Sequence, residues 1–243
     1  MFSRIAILLA LILSGFQIYS QDGSVPTKKS KKINLEIPGT FMVEFGFNFF
    51  KGNKPNEIKK GFWGSRTLNI YYQYQVRLFK SKFSFNPGIG ISLERFKQAN
   101  NFTFASRSNP DGTYPLVEAG TLFPGKIKRT QLIVNYFEMP IEFRFDTDPE
   151  DIARSFNFSI GGRIGVLFDS SSKVVYSDGE RKISKDNQSH GLNRFRYGIS
   201  ARIGISGLSL VGYYNLSPLF EPNKGPSKTE MSTFTIGVSI NGF

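Results

Sequence analysis

The chain has no cysteine among its 243 residues, and it has a single histidine. Disulfides and thiolate metal sites are therefore excluded. Metal-ligand spacing and a glycine-rich phosphate loop are also missing. Apart from one N-terminal stretch there is no long hydrophobic run. No segment fits the amphipathic helix template, because apolar residues recur at i, i+2 and i+4. Acidic residues are scarce too: 19 Asp and Glu face 31 Lys and Arg, a net charge of +12. What the chain does hold is 25 Phe, 10 Tyr and 24 Gly, a composition for strands and turns.

The exceptional run is Ile5 to Leu13, preceded by Arg4 and followed by Ser14, Gly15, Ser20 and Gln21. This is the pattern of a secretory signal peptide and is too short to span a bilayer. We expect a leader at residues 1–20, with cleavage after Ser20. No cysteine follows, so a lipoprotein is not expected. Residues 21–39 are polar and carry Lys28, Lys29, Lys31 and Lys32, a basic periplasmic arm. A basic exported chain points to lipid phosphates or an acidic partner, and nucleic acid is not expected.

Residues 40–243 divide into eight strand-like segments: Thr40–Phe50, Arg66–Phe79, Lys82–Phe96, Gln131–Asp146, Ser155–Phe168, Asn193–Ser206, Leu208–Leu216 and Met231–Phe243. Most suit the 9–11 residues of a membrane strand with some overhang. Their connections alternate. KSK, TDPEDIAR and little more than Gly207 are short; Lys51–Ser65, Lys97–Thr130, Asp169–Leu192 and Ser217–Glu230 are long. Short turns on one side and long loops on the other define an up-and-down barrel in an outer membrane. NPDG (Asn109–Gly112) and SDGE (Ser177–Glu180) predict hairpins reaching past the bilayer.

YFEMPIEFRF shows the two faces. Phe137, Met139, Ile141, Phe143 and Phe145 form one row, and Tyr136, Glu138, Pro140, Glu142 and Arg144 the other. The remaining segments alternate likewise, except that the phase of the seventh is ambiguous. A lipocalin-like barrel would put the apolar row inside, and a membrane barrel inverts it. The apolar rows are large and aromatic, whereas the polar rows are small and glycine-rich. Charges on the polar rows are Glu or Arg, never Lys. Arginine is preferred where carboxylates are paired in an enclosed space. The reading is an all-β protein: an eight-stranded antiparallel up-and-down transmembrane β-barrel with short periplasmic turns and long extracellular loops.

An eight-stranded barrel is filled by its own side chains. The interior is expected to hold Glu44, Glu94, Glu138 and Glu142 against Arg77, Arg144, Arg163, Arg196 and Arg202, as a structural polar plug. Unpaired ions there would cost several kcal/mol, roughly, so pairing is required. Pro140 has no N–H and predicts a bulge or a weakened ladder. Phe79, Phe83, Phe143, Phe145, Phe156 and Phe243 predict an interfacial girdle on the short-turn side. The first long loop carries Lys51, Lys54, Lys59, Lys60 and Arg66 around Glu57, beside Phe62 and Trp63, and suits contact with lipid phosphates. His190, in NQSHGLN next to Ser189 and near Asp186, is read as an ordinary loop residue. No catalytic residue, metal or cofactor is expected.

YFEMPIEFRF, with GFNFF in the first strand and NPGIGISLERF in the third, resembles the PorT-like outer-membrane β-barrel family of Bacteroidota. That family carries a Tyr-x-Glu-x-Pro core, matched by Tyr136, Glu138 and Pro140. The final TFTIGVSINGF resembles the C-terminal signal read by barrel-assembly machinery. The resemblance spans the mature chain in layout. It implies an eight-stranded barrel, and its best-known member is tied to type IX secretion and gliding. The expected function is a non-enzymatic, monomeric outer-membrane interaction or accessory protein, with lipids and proteins of a secretion or envelope complex as partners. The alternatives are a small channel and a lipid-modifying barrel enzyme using His190.

Overall fold

The computed structural model describes residues 39–52, 65–98, 100–151 and 154–242. The leader, the lysine arm, Lys54, Lys59, Lys60, Trp63 and Phe243 lie outside the described residues. The strands are β1 Thr40–Gly52, β2 Arg66–Gln73, β3 Val76–Arg77, β4 Phe83–Gln98, β5 Phe102–Phe104, β6 Leu116–Glu118, β7 Lys126–Asp146, β8 Phe156–Asp178, β9 Glu180–Asp186, β10 Phe195–Ile205, β11 Leu208–Asn215 and β12 Met231–Asn241.

Eight staves close a ring in the order β10-β11-β12-β1-β2-β4-β7-β8, and β8 pairs back onto β10. Each neighbouring pair is antiparallel. Closure matters because lipid offers no hydrogen bonds to a strand edge; a ring leaves none. The alternation then sets the two surfaces. Ile160, Ile164, Phe195, Leu210 and Ile236 are more than half exposed on the outside, while Glu44, Asn48, Glu138, Arg163 and Ser239 are buried inside. The barrel is an inverted one, apolar outwards, and its Phe and Ile side chains meet lipid. At the periplasmic rim Phe83 packs against Phe145, and Phe85 against Phe143. Phe79 and Phe156 are exposed there as well.

Three strands depart from their expected bounds. The second stave is broken at Tyr74 and Gln75 and resumes as the short β3. It stops at Arg77 because Phe79 and Lys80 take positive φ in the turn to β4. β7 and β8 run far above the membrane, with 21 and 23 residues. Residues 126–130 of β7 and 169–178 of β8 were expected to belong to the long loops. β8 turns at Gly179 (φ +73°) into β9, so SDGE makes the expected hairpin beyond the bilayer. NPDG turns the β5–β6 hairpin, with the Gly112 N–H donating to the Asn109 carbonyl at 2.9 Å.

Proline has a local effect. Pro140 stays paired with Arg163 of β8, but the ladder to β4 is interrupted between Pro87↔Ile141 and Gly90↔Glu138. The missing N–H faces β4, and the bulge between β7 and β8 sits higher, at Asn135 and Tyr136. The phase of β11 is set by its neighbours: Ser209, Val211, Tyr213 and Asn215 point inwards.

Candidate functional site

The lumen is filled at two levels. In the membrane-level half, arginines and glutamates form a continuous chain. Arg163 grips Glu44 with two nitrogens, Nη1 to Oε2 and Nη2 to Oε1, both at 2.9 Å. The Asn69 amide donates to the same carboxylate at 2.9 Å. Arg163 Nη1 also donates to the Tyr71 hydroxyl at 3.1 Å, and that hydroxyl donates to Glu138. Arg196 then links Glu138 (Nε to Oε1, 2.6 Å) with Glu94 (Nη1 to Oε1, 2.8 Å). Its guanidinium lies 3.9 Å from the centre of the Tyr136 ring. Towards the periplasm Arg202 pairs with Glu142, with its Nε 3.9 Å from Glu44. Arg144 pairs with Asp146 at 2.8 Å near the bottom.

The structure therefore brings together Glu44, Glu94, Glu138, Glu142, Arg163, Arg196 and Arg202, and buries Arg144 beside them. Arg77 does not join them. It sits exposed at the periplasmic rim and donates to the Pro149 carbonyl at 2.5 Å. The break after Gln73 places β3 below the packed lumen. Without Arg77 four acids face four bases, and Asp146, paired with Arg144, makes the acids exceed the bases by one. Sequence reasoning missed Tyr71 and Asp146, although each shares the parity of recognised inward neighbours, Asn69 and Arg144. Tyr213, stacked between Arg163 (4.9 Å) and Arg196 (5.8 Å), needed the phase of β11.

Small residues make room for these large ones. A β-carbon on Gly198 would lie 2.8 Å from the Tyr213 ring, and one on Gly165 would lie 3.1 Å from the stems of Arg196 and Glu138. Below the chain a polar cavity of about 370 Å³ opens at the periplasmic mouth, lined by Met42, Gln73, Gln75, Asn86, Arg144 and Asn241.

Above the chain the inward row turns apolar. Phe96, Leu132, Val134, Tyr136 and Met231 form the floor of a buried cluster, and Phe104, Leu192, Leu219 and Phe220 come down on it from three loops. Backbone bonds tie these loops together: Glu221 N–H to Gly191 O at 2.8 Å, Tyr114 N–H to Lys224 O at 3.1 Å, and Asn193 N–H to Leu219 O at 2.9 Å. Lys228 pairs with Asp111 at 3.2 Å. The hydroxyl and backbone N–H of Thr113, helped by Lys228, hold the Asp111 carboxyl down at about 2. The lid is a small hydrophobic core of its own, which no strand pattern announced.

His190 is buried in that lid. Its ring lies 5.4 Å from Phe104 and 5.8 Å from Tyr114, and its Nε2 is 3.5 Å from Asp186 Oδ2. Among the described residues no hydrogen bond joins it to a serine. Burial holds its imidazole below the ordinary 6.5, against the pull of Asp186. A base depressed in the folded state makes protonation favour the open form. The lid is thus firm above about pH 6.5 and loosens as acid titrates towards the lower folded value. Hydrogen exchange at the Leu192 and Phe220 amides, corrected for intrinsic rates, should quicken at pH 5.5 relative to pH 7.5. His190→Asn, which tolerates the positive φ at this position, should flatten that dependence. An unchanged pH dependence in the variant would refute the assignment.

A closed antiparallel ring with lipid-facing aromatics and an ion-paired lumen defines an outer-membrane β-barrel protein. The chain belongs to the outer membrane protein beta-barrel domain family, which matches residues 28–221. Among solved structures it is similar to Ail, the attachment invasion locus protein of Yersinia pestis. That match has 12% identity, covers 84% of this chain and 97% of Ail, and has a TM-score of 0.34. Neisserial surface protein A is similar as well, with 11% identity, 83% and 96% coverage and a TM-score of 0.35. Among curated proteins none matches.

Proposed function

We propose that the protein is a non-enzymatic, monomeric accessory barrel of the PorT-like group, serving type IX secretion or gliding from the outer membrane. The observation that carries this reading is the doubly filled lumen. A chain of ion pairs blocks the membrane level and an apolar lid covers the mouth, so the working surfaces are the loops and the outer wall. In this reading residues 1–20 are removed on export and residues 21–39 reach into the periplasm as a basic arm. Lys51, whose Nζ donates to the Tyr214 hydroxyl at 2.9 Å beside the stacked Phe49 and Phe234, contacts lipid phosphates at the outer rim. Lys54, Lys59, Lys60 and Trp63 extend that contact.

The test is a mild-detergent pull-down of the tagged protein from its native outer membrane, with partners identified by mass spectrometry. Stoichiometric secretion or gliding components are expected, and recovery of the barrel alone would overturn the accessory role. The periplasmic cavity favours a second reading, a small channel. With the lid and ion chain intact, planar bilayers should show no steady conductance; a stable open level at neutral pH would establish the channel. The lipid-modifying alternative fares worst, because His190 faces phenyl rings. His190→Ala should leave every lipid species of the membrane unchanged.

A further inference from the structure

The walls of β4, β7, β8 and β9 continue above the lipid-facing band, and their outward side is basic. Residues paired side by side across strands share a face. Leu93 faces outwards in register with Leu68, and two residues higher Arg95 stands directly opposite Arg66. In the next tier Lys97 pairs with Gln131, Gln131 with Lys173, and Lys173 with Lys185. Gln131 is roughly 20 Å along the strand above the lipid-facing Phe137. Higher still, Lys128, Arg129 and Arg181 line a cleft of about 400 Å³ with Val175 and Ser177.

The charges are sorted by face, except that Lys182 stands on the lid side, paired with Asp178 at 3.2 Å. Asp186 and the Asp178–Glu180 pair at the hairpin tip are in register with Ser172 and one another on the lid side, the side on which Ser172 bonds to Thr103. Asp169 is the acid that shares the basic side. The Asn135 amide holds it at 2.7 Å, and the Asn135 oxygen accepts from Arg95 at 2.9 Å. Arg66 has no carboxylate within ion-pair distance among the described residues.

Like charges directly opposite on neighbouring strands are destabilising. Although Arg95 also bonds to the Glu94 carbonyl and Asn135, a bound anion would relieve the repulsion between it and Arg66. The two arginines frame a cleft of about 270 Å³ whose floor is Phe45, Leu68 and Leu93. Arginine pairs with phosphate through two parallel N–H bonds, and an apolar floor suits acyl chains. The site stands on the lateral wall, where membrane lipid is always present. We propose that the outward face of this wall binds the phosphorylated glycolipid of the outer leaflet. Arg66 and Arg95 take the phosphate nearest the acyl chains, and Lys128, Arg129 and Arg181 take phosphates on the saccharide above. This extends the lipid-phosphate contact of Lys51 to a different wall, and it stands whether or not the barrel has a protein partner.

The experiment uses the purified mature chain in dodecyl maltoside, with native mass spectrometry of bound bis-phosphorylated lipid A, its dephosphorylated form, and a rough-type glycolipid carrying core phosphates. Wild type should prefer phosphorylated over dephosphorylated lipid A by about tenfold or more. Arg66→Gln with Arg95→Gln should remove most of that preference. Lys128→Gln, Arg129→Gln and Arg181→Gln together should weaken the core-phosphate glycolipid and leave lipid A unchanged. The heat-dependent gel shift of each variant verifies that the barrel is intact. Equal binding of the two lipid A forms by wild type would overturn the proposal, as would wild-type preference in the Arg66/Arg95 variant. So would selective capture of a soluble polyanion, added as competitor, with no lipid A bound. The purified system contains no protein partner, so its outcome is separate from that of the pull-down.

Discussion

Arg163→Leu should destabilise the barrel by about 3–5 kcal/mol, the usual cost of stranding one buried member of an ion pair. Arg163 is 1% exposed and supplies the bidentate grip on Glu44 together with a bond to Tyr71. Without it Glu44 keeps the Asn69 amide and a 3.9 Å approach to Arg202, too little to solvate a carboxylate inside a closed barrel. The loss should spread, because the Tyr71 hydroxyl connects this pair to Glu138 and through Arg196 to Glu94. Replacing both partners, Glu44→Leu with Arg163→Leu, should recover much of the stability, since no charge is then left alone. Urea unfolding in detergent, followed by the folded band on unheated gels, measures both. If the single variant matched wild type, the ion chain would contribute nothing to holding the lumen together.

Gly90→Val should prevent assembly of most of the folded barrel. A β-carbon at Gly90 would lie 2.1 Å from the Ile70 carbonyl oxygen and 2.6 Å from the Tyr71 ring. Both neighbours belong to the adjacent stave, which is held in register on its other side by β1. An open sheet could slide to relieve the clash, but a closed ring transmits the shift around its circumference. The cost should therefore reach or exceed the roughly 3 kcal/mol at the upper end of ordinary overpacking. Gly212→Val provides the control. Gly212 faces lipid, and a β-carbon there meets nothing within 4 Å. Comparing the heat-shifted fraction of the two after refolding decides the matter. Equal yields would show that interior glycines are not needed to seat the tyrosines.

The contrast between these glycines shows what could be read in the chain. Gly90 belongs to an inward row with Ser84, Asn86 and Ser92, and its parity was visible before any coordinates. Gly212 lies in GYYNL, where apolar and polar residues do not alternate cleanly, so either face was open. Strand pairing settled it, because Ser209↔Ser239 and Tyr213↔Thr235 align β11 with a strand of clear phase. Arg77 shows the opposite failure. Its parity is right, but parity says nothing about height, and the stave breaks before reaching the packed lumen.

Local pattern determined the eight staves, the inward and outward rows of all but β11, the short turns and the inverted barrel. A period of two is a property of the extended backbone itself, and the absence of lysine from the inward rows reflects the desolvation each charge meets. The tertiary structure alone decided which carboxylate meets which guanidinium. Glu44 and Arg163 are 119 residues apart, and only ring closure with a set register brings them together. It also decided the lid. Phe104 comes from the short β5–β6 hairpin and Leu192 and Phe220 from irregular segments, none with a period that marks a buried face, so their burial depends on long-range packing that no local rule encodes.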